Sequence, residues 1–316
     1  MAGMRHLTTL KYIDAVARAG SIRGAAEVLS ITSTALNRRI LGMEEELGVQ
    51  IFERLPRGVR LSSAGEILIH HIRTQLSEMD RVQSQIADLS GVRRGHVSIA
   101  CSQALIPYFL PKQITAYRCE HTGVTFGVHV RDRDAAEVAL IERSADLALV
   151  FEPIRMSEFQ TILTMPQPIH AVLSKDHPLA EKEILRLKEC LLYPVAMPTR
   201  AYGVRHLIEM ALLDSGFHYE PVIESDNFEF LRNYALAENI VSFQLPIGLP
   251  DPVLADGAAP GLVTRPVDPR DVQGGNIYFG QLRGRTLPVA AAKFADQIVK
   301  SLISRNATMK SEIPGS

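Results

Sequence analysis

The chain has 316 residues, 46% of them apolar, with 34 Lys and Arg against 35 Asp and Glu and a net charge of −1. That is enough for two or three domains with substantial cores, and the near-neutral balance excludes general polyanion affinity. No apolar run approaches the roughly 20 residues that span a bilayer, MAGMRHLTTLKYID has no export-signal core, and Cys101, Cys119 and Cys190 lie too far apart for a disulfide framework or a metal-ligand spacing. The expectation is a soluble, cytoplasmic protein without membrane contact, cofactor or metal.

Near the N-terminus, SIRGAAEVLSITSTALNRR (21–39) reads as a short helix, a tight turn and a second helix. Ser21 is a plausible N-cap, and Ala25, Ala26, Val28 and Leu29 form a compact face whose two alanines allow close helix crossing. Thr32 or Ser33 can cap the second helix, where Leu36, Ile40, Met43 and Leu47 recur at helical spacing as a buried stripe. Thr34, Asn37, Arg38 and Leu41 fall on another face, continued by Arg39. Asn can read adenine and Arg guanine bidentately, while Thr and Ser serve bases or phosphates. Taken alone, this could equally be the solvated face of an ordinary helical hairpin.

The next residues favour DNA. Gln50–Arg54 and Val59–Leu61 are strand-like runs joined through Leu55-Pro56-Arg57-Gly58, a hairpin or wing carrying Arg54, Arg57 and Arg60 towards backbone phosphates. Residues 1–62 carry nine Lys or Arg and six Asp or Glu, a weakly basic end on a slightly acidic remainder.

Ser63-Ala64-Gly65-Glu66 has the form of a capping box. Beyond it Ile72, Leu76, Met79, Val82, Ile86 and Leu89 repeat every three or four residues, a stripe narrow enough for a coiled-coil seam. The alternative is a long helix lying on its own domain. Gly91–Gly95 ends it. From there strands expected at 96–100, 124–130, 146–151, 169–173, 193–197 and 240–243 alternate with helices at 106–120, 134–143, 205–215 and 227–237, which predicts parallel sheets with covered faces.

The N-terminal segment resembles the LysR-type transcriptional regulators along its whole length. The resemblance rests on Leu10 and Ile13 through Ala19-Gly20-Ser21, Ala25-Ala26-Glu27 with Leu29, and Ala35-Leu36 with Arg38 and Ile40. It continues through Glu44-Glu45-Glu46-Leu47-Gly48, Ile51-Phe52-Glu53-Arg54 and Leu61-Ser62-Ser63-Ala64-Gly65. Where the family commonly has Ser-Gln-Pro-Ala this chain has Thr32-Ser33-Thr34-Ala35, and Asn37 stands where a Ser usually precedes the Arg, so the base-reading set differs from the commonest one. Ser98-Ile99-Ala100, Asp146–Val150 and Asp176–Ala180 resemble that family's effector domain.

The resemblance implies an α/β protein: a winged helix-turn-helix at 5–62 (helix-turn-helix 21–40), a dimerising linker helix at 63–93, and an effector domain at 95–305 with two lobes like a periplasmic binding protein. Lobe I would hold about 95–166 and 284–305, lobe II about 167–283, and 306–316 would be a flexible tail. Implied partners are double-stranded operator DNA with dyad symmetry, a small-molecule effector, a second copy of the chain through the linker helix, a homotetramer, and RNA polymerase.

In such a fold the effector cleft lies where strands end and helices begin, at free N–H groups that favour anions. The resemblance matches effector-contacting hydroxyls to Ser102, in Cys101-Ser102-Gln103, and to Thr199, in Pro198-Thr199-Arg200, although helix capping is the plainer role for both. Arg200 offers a carboxylate partner, and Phe151 and Phe243, each ending a strand, could wall the pocket. The reading is thus regulation by a small organic anion. The rival is redox sensing through Cys101 or Cys190. No G-x-S-x-G, H-E-x-x-H, P-loop or Cys-x-x-Cys occurs, so no catalytic residues are assigned and the chain is not read as an enzyme.

Overall fold

The computed structural model describes residues 2–89, 94–131, 134–153, 157–213, 217–250 and 261–311. The chain forms two compact units, Met1–Ser90 and Gly91–Ser316.

The first unit contains α1 (Ala2–Ala19), α2 (Ile22–Val28), α3 (Ser33–Leu47), an antiparallel hairpin of β1 (Phe52–Leu55) and β2 (Gly58–Leu61), and the 27-residue α4 (Ser63–Leu89). Side-chain hydroxyls start both short helices: Ser21 Oγ accepts from Gly24 N at 3.0 Å and Thr32 Oγ1 from Ala35 N at 3.2 Å. Each satisfies an N–H that the first helical turn leaves open. Gly48 ends α3 at φ +68°, a left-handed conformation that L side chains rarely adopt. Ile13, Val16, Ala26, Leu36, Ile40 and Phe52 are central to one continuous core.

Four expectations change here. Val28, expected on the compact apolar face of α2, is 80% exposed. Leu47 is 46% exposed, so the buried stripe of α3 stops at Met43. The cap of α4 is Ser62, one residue earlier than expected, because its Oγ accepts from Gly65 N at 3.0 Å while donating to the Gln50 carbonyl at 2.6 Å. Ile72 is fully buried in the core of this unit, together with Ile69, and Leu76 packs against it. The first three turns of α4 therefore lie on their own domain. Only beyond them does the stripe emerge, with Val82 38% and Ile86 58% exposed; Leu89 lies among side chains not described.

The second unit has two five-stranded sheets, both mixed rather than parallel. One runs in the order β4 (Gly123–Val130), β3 (Arg94–Cys101), β5 (Leu147–Phe151), β12 (Gly275–Leu282), β6 (Phe159–Gln167), with β12 antiparallel to both neighbours. The other runs β11 (Leu262–Pro266), β7 (His170–Ser174), β10 (Val241–Gln244), β8 (Val195–Pro198), β9 (Ile223–Ser225), with β7 antiparallel to β11 and β10. Helices α5 (Phe109–Glu120), α6 (Ala135–Ile141) and α10 (Val289–Ser311) accompany the first sheet; α7 (Leu187–Cys190), α8 (Gly203–Leu212) and α9 (Phe228–Glu238) accompany the second.

Strands β6, β9, β11 and β12 lie outside the expected set. Because β12 pairs with β5 and β6, the chain has already returned to the first sheet by Gly275, not near Arg283-Gly284. The outward crossing follows β6, which reaches Gln167. α10 continues to Ser311, so residues 306–311 are helical rather than a frayed tail. A buried ion pair ties the end of β12 to the start of β5: Arg285 meets Asp146 at 2.6 Å, and Asp146 also accepts from Ser98 N at 2.8 Å.

Candidate functional site

On the first unit, α3 exposes Ser33, Thr34, Arg38 and Arg39, while Asn37 is half-buried and the cap Thr32 is exposed beside them. The wing is fastened to these helices by backbone chemistry. Val59 N donates to the Gly20 carbonyl at 2.8 Å, and a Cβ on Gly58 would run into that same carbonyl. At the other end of the hairpin, Glu44 Oε1 on α3 accepts from Ile51 N at 2.7 Å and Phe52 N at 3.1 Å.

The three wing arginines are not equivalent. Arg54 donates to Asn37 Oδ1 at 2.6 Å, which orients the amide of α3. Arg60 pairs with its cross-strand neighbour Glu53 at 2.7 Å, an exposed pair that a phosphate can displace at little cost. Arg57 is exposed at the turn. Of the expected DNA-contacting residues, Asn37 and Arg54 are joined directly, a link the residue pattern did not reveal.

The second unit has a narrow cleft of about 10 Å³ between its two sheets, lined by Ser102, Arg131, Phe151, Tyr202, Gly203 and Phe228 among others. That is room for about one water. Ser102 reaches it, and its hydroxyl makes no capping bond. Phe151 reaches it too. Its ring sits so close to Gly203 and Gly275 that a Cβ on Gly203 would lie 2.7 Å from Phe151 Cδ1, and one on Gly275 would overlap Cζ. Glu152, next in sequence, takes φ +46° and accepts from Asn276 N at 2.6 Å.

The other expected residues are placed elsewhere. Gln103 spans the lobes, but its Oε1 is committed to Phe228 N at 2.7 Å, at the start of α9. Thr199 and Arg200 do not begin a helix, because α8 starts at Gly203 behind Tyr202. Arg200 is 80% exposed and points to Glu209 at 3.3 Å. Phe243 is fully buried within the core.

The residues that sequence reasoning missed are Arg131 and the α8 start. Arg131 directly follows the parallel strand β4, the end of a strand at which α/β ligand sites form, so its position was a usable signal. The true start of α8 carried none, since Tyr202 is not a favoured cap and makes no side-chain cap bond. Cys101 and Cys190 are both buried, which disfavours their thiolates. Burial pushes Cys101 up to about 12, only partly opposed by the Arg131 charge, and Cys190 rises to about 12 through burial and then the neighbouring Glu189. Reactivity needs the thiolate, which such values suppress.

Residues 7–66 match the family model "Bacterial regulatory helix-turn-helix protein, lysR family", and residues 90–302 match "LysR substrate binding domain". An "Uncharacterized HTH-type transcriptional regulator YbhD" of Escherichia coli (strain K12) is 30% identical over 212 residues, which cover 67% of each chain. Among solved structures, a full-length point variant of OxyR from Pseudomonas aeruginosa superposes with a TM-score of 0.64 at 18% identity, covering 95% of this chain and 94% of that one. Full-length CbnR complexed with its target DNA gives 0.60 at 16%, covering 93% and 99%. These two likenesses concern the fold.

Proposed function

The chain belongs to the LysR family of DNA-binding transcriptional regulators with an effector-binding domain, and on that premise we propose that its effector is a small organic anion taken up between the lobes of the second unit. The observation that carries this is convergence on one cleft. Arg131 and Ser102 come from one lobe, and the N-terminus of the ten-residue α8 comes from the other. Free N–H groups and the helix dipole favour a carboxylate there, and Arg131 supplies the full charge. Val150, Phe151, Phe228 and Leu245 provide apolar walls for the rest of a small ligand. Since the cleft holds little more than a water, binding requires the lobes to part and re-close around the ligand, which biases their relative angle.

On the first unit, Thr34, Asn37 and Arg38 read base edges in this proposal, while Thr32, Ser33, Arg39, Arg54, Arg57 and Arg60 hold phosphates. A dimer through the far half of α4, around Val82 and Ile86, would present two such faces to an operator with dyad symmetry. Pairing of dimers into a tetramer, and contact with RNA polymerase, complete the proposed assembly.

The test is a thermal-shift and calorimetric screen of small mono- and dicarboxylates against the full chain, repeated with Arg131→Ala and Gly203→Ala. The proposal expects a carboxylate that raises the unfolding temperature. It also expects both variants to lose that shift and the ligand's effect on operator binding while keeping basal operator affinity. A neutral or cationic effector, or an undiminished response in Arg131→Ala, overturns the site.

A further inference from the structure

Away from the cleft, two histidines lean over one glycine. In the parallel ladder of β3 and β4, His96 faces Thr125, Ser98 faces Gly127 and Ala100 faces His129, so His96, Gly127 and His129 lie on the same side of the sheet. β4 is an edge strand, and His96, Thr125 and His129 are exposed. A Cβ built on Gly127 would lie 3.1 Å from His96 Nε2 and 3.2 Å from His129 Nε2. Both Nε2 atoms therefore border one small space, and that space exists because residue 127 has no side chain.

His96 Nδ1 and Thr125 Oγ1 lie 2.9 Å apart, a contact in which either can donate. With the proton on Nδ1 the imidazole donates, and the hydroxyl is free to donate to the Gly95 carbonyl at 3.3 Å. Nε2 of His96 is then left with its lone pair turned to the space over Gly127. An imidazole whose far nitrogen is held by a hydrogen bond, with the near one free, is the arrangement that metal-ligating histidines use.

We propose that His96 and His129 clasp a divalent transition metal ion of the Zn²⁺ class over Gly127. Neutral imidazole suits Zn²⁺, Ni²⁺ and Cu²⁺. Among the described residues no group of three or more His, Cys, Asp or Glu side chains could hold a metal ion. The site is accordingly a two-histidine one, with water in the remaining positions, and of modest affinity. Its effect is to cross-link the edge strand to its neighbour.

The experiment is calorimetric titration of the full chain, free of any histidine tag, with ZnCl₂, alongside the wild type's thermal unfolding with and without the metal. The expected result is one principal site, a raised unfolding temperature, and at least roughly tenfold weaker binding in His96→Ala and in His129→Ala. Thr125→Val keeps both ligands but loses the orienting bond, and should weaken binding by about 10- to 100-fold. Gly127→Ala removes no ligand but brings a methyl to 3.1 and 3.2 Å from the two Nε2 atoms and crowds the space they share, so it should abolish the site while circular dichroism stays unchanged. With Cu²⁺ as a probe, electron paramagnetic resonance should show two coordinated imidazole nitrogens in the wild type and one in each single variant. Binding that survives His96→Ala or His129→Ala overturns the clasp, as does undiminished binding in Gly127→Ala.

Discussion

Ile72→Ala separates the two roles that α4 could give this residue. The side chain is fully buried against the core that also contains Ile69 and Phe52. Truncation removes three carbons, which costs about 2.4 kcal/mol at ~0.8 kcal/mol per buried methylene, and a cavity that fails to collapse raises this towards ~5 kcal/mol. A unit of about 90 residues has a stability on the order of 5–13 kcal/mol, so the loss is a large fraction of it. Hydrogen exchange of the intact protein, read by mass spectrometry on peptides of α1 and α3, reports that unit without requiring the whole chain to unfold in one step. At 1.4 kcal/mol per factor of ten, protection should fall by about 50-fold to a few thousand-fold, while the peptides of the second unit keep theirs. Ile86→Ala, at a position 58% exposed, should leave protection in α1 and α3 nearly unchanged and weaken self-association instead. If Ile72→Ala left protection intact and abolished the dimer, the residue would belong to the seam and the packing argument would fail.

Asn37→Ala and Arg38→Ala should each cost about 1–3 kcal/mol of specific operator affinity and relax preference at one base per half-site, whereas Arg57→Ala should weaken binding to all sequences and reduce its salt slope; a footprint unchanged by the double variant Asn37→Ala, Arg38→Ala would remove α3 from base reading. Iodoacetamide at neutral pH should label the folded chain once, at the exposed Cys119, and three times after denaturation, because Cys101 and Cys190 are buried with pKa values pushed to about 12. Rapid native labelling of either buried thiol would revive redox sensing as the regulatory chemistry.

The first unit was the more legible in sequence because its signals are local. Ser21 and Thr32 cap the helices they precede, and Pro56 to Gly58 turns the hairpin. A periodic stripe, however, cannot say which surface it meets: Ile72 and Ile86 obey one repeat, yet the first fills a core and the second faces outward. In the second unit, short buried strands such as β5 were visible as continuous apolar runs. β6 and β12 were not, since TILT and GNIYFGQL mix polar and small residues within strands that gain their stability from pairing with each other. The cleft was half legible. Ser102 and Phe151 sit at strand ends, which sequence locates, but Thr199 and Arg200, which follow β8, do not open a helix: α8 starts at Gly203, behind an unconventional cap. Arg131 lay at a strand end as well, and only the fold turned it towards the same space.

The two fastenings of the wing bear on what kind of sequence this protein can accept. Gly20 holds one strand by its carbonyl and Glu44 holds the approach to the other with a single carboxylate oxygen, so the hairpin cannot swing independently of α3. Such a unit works as a fixed-jaw caliper: the distance from base edge to flanking phosphate is built into the protein, and the duplex must supply it. Half-sites with every contacted base intact but with a stiffer or wider groove alongside would then be rejected on mechanical grounds, through the energy needed to deform them. Sequence preference should therefore extend to positions that no side chain of this domain touches.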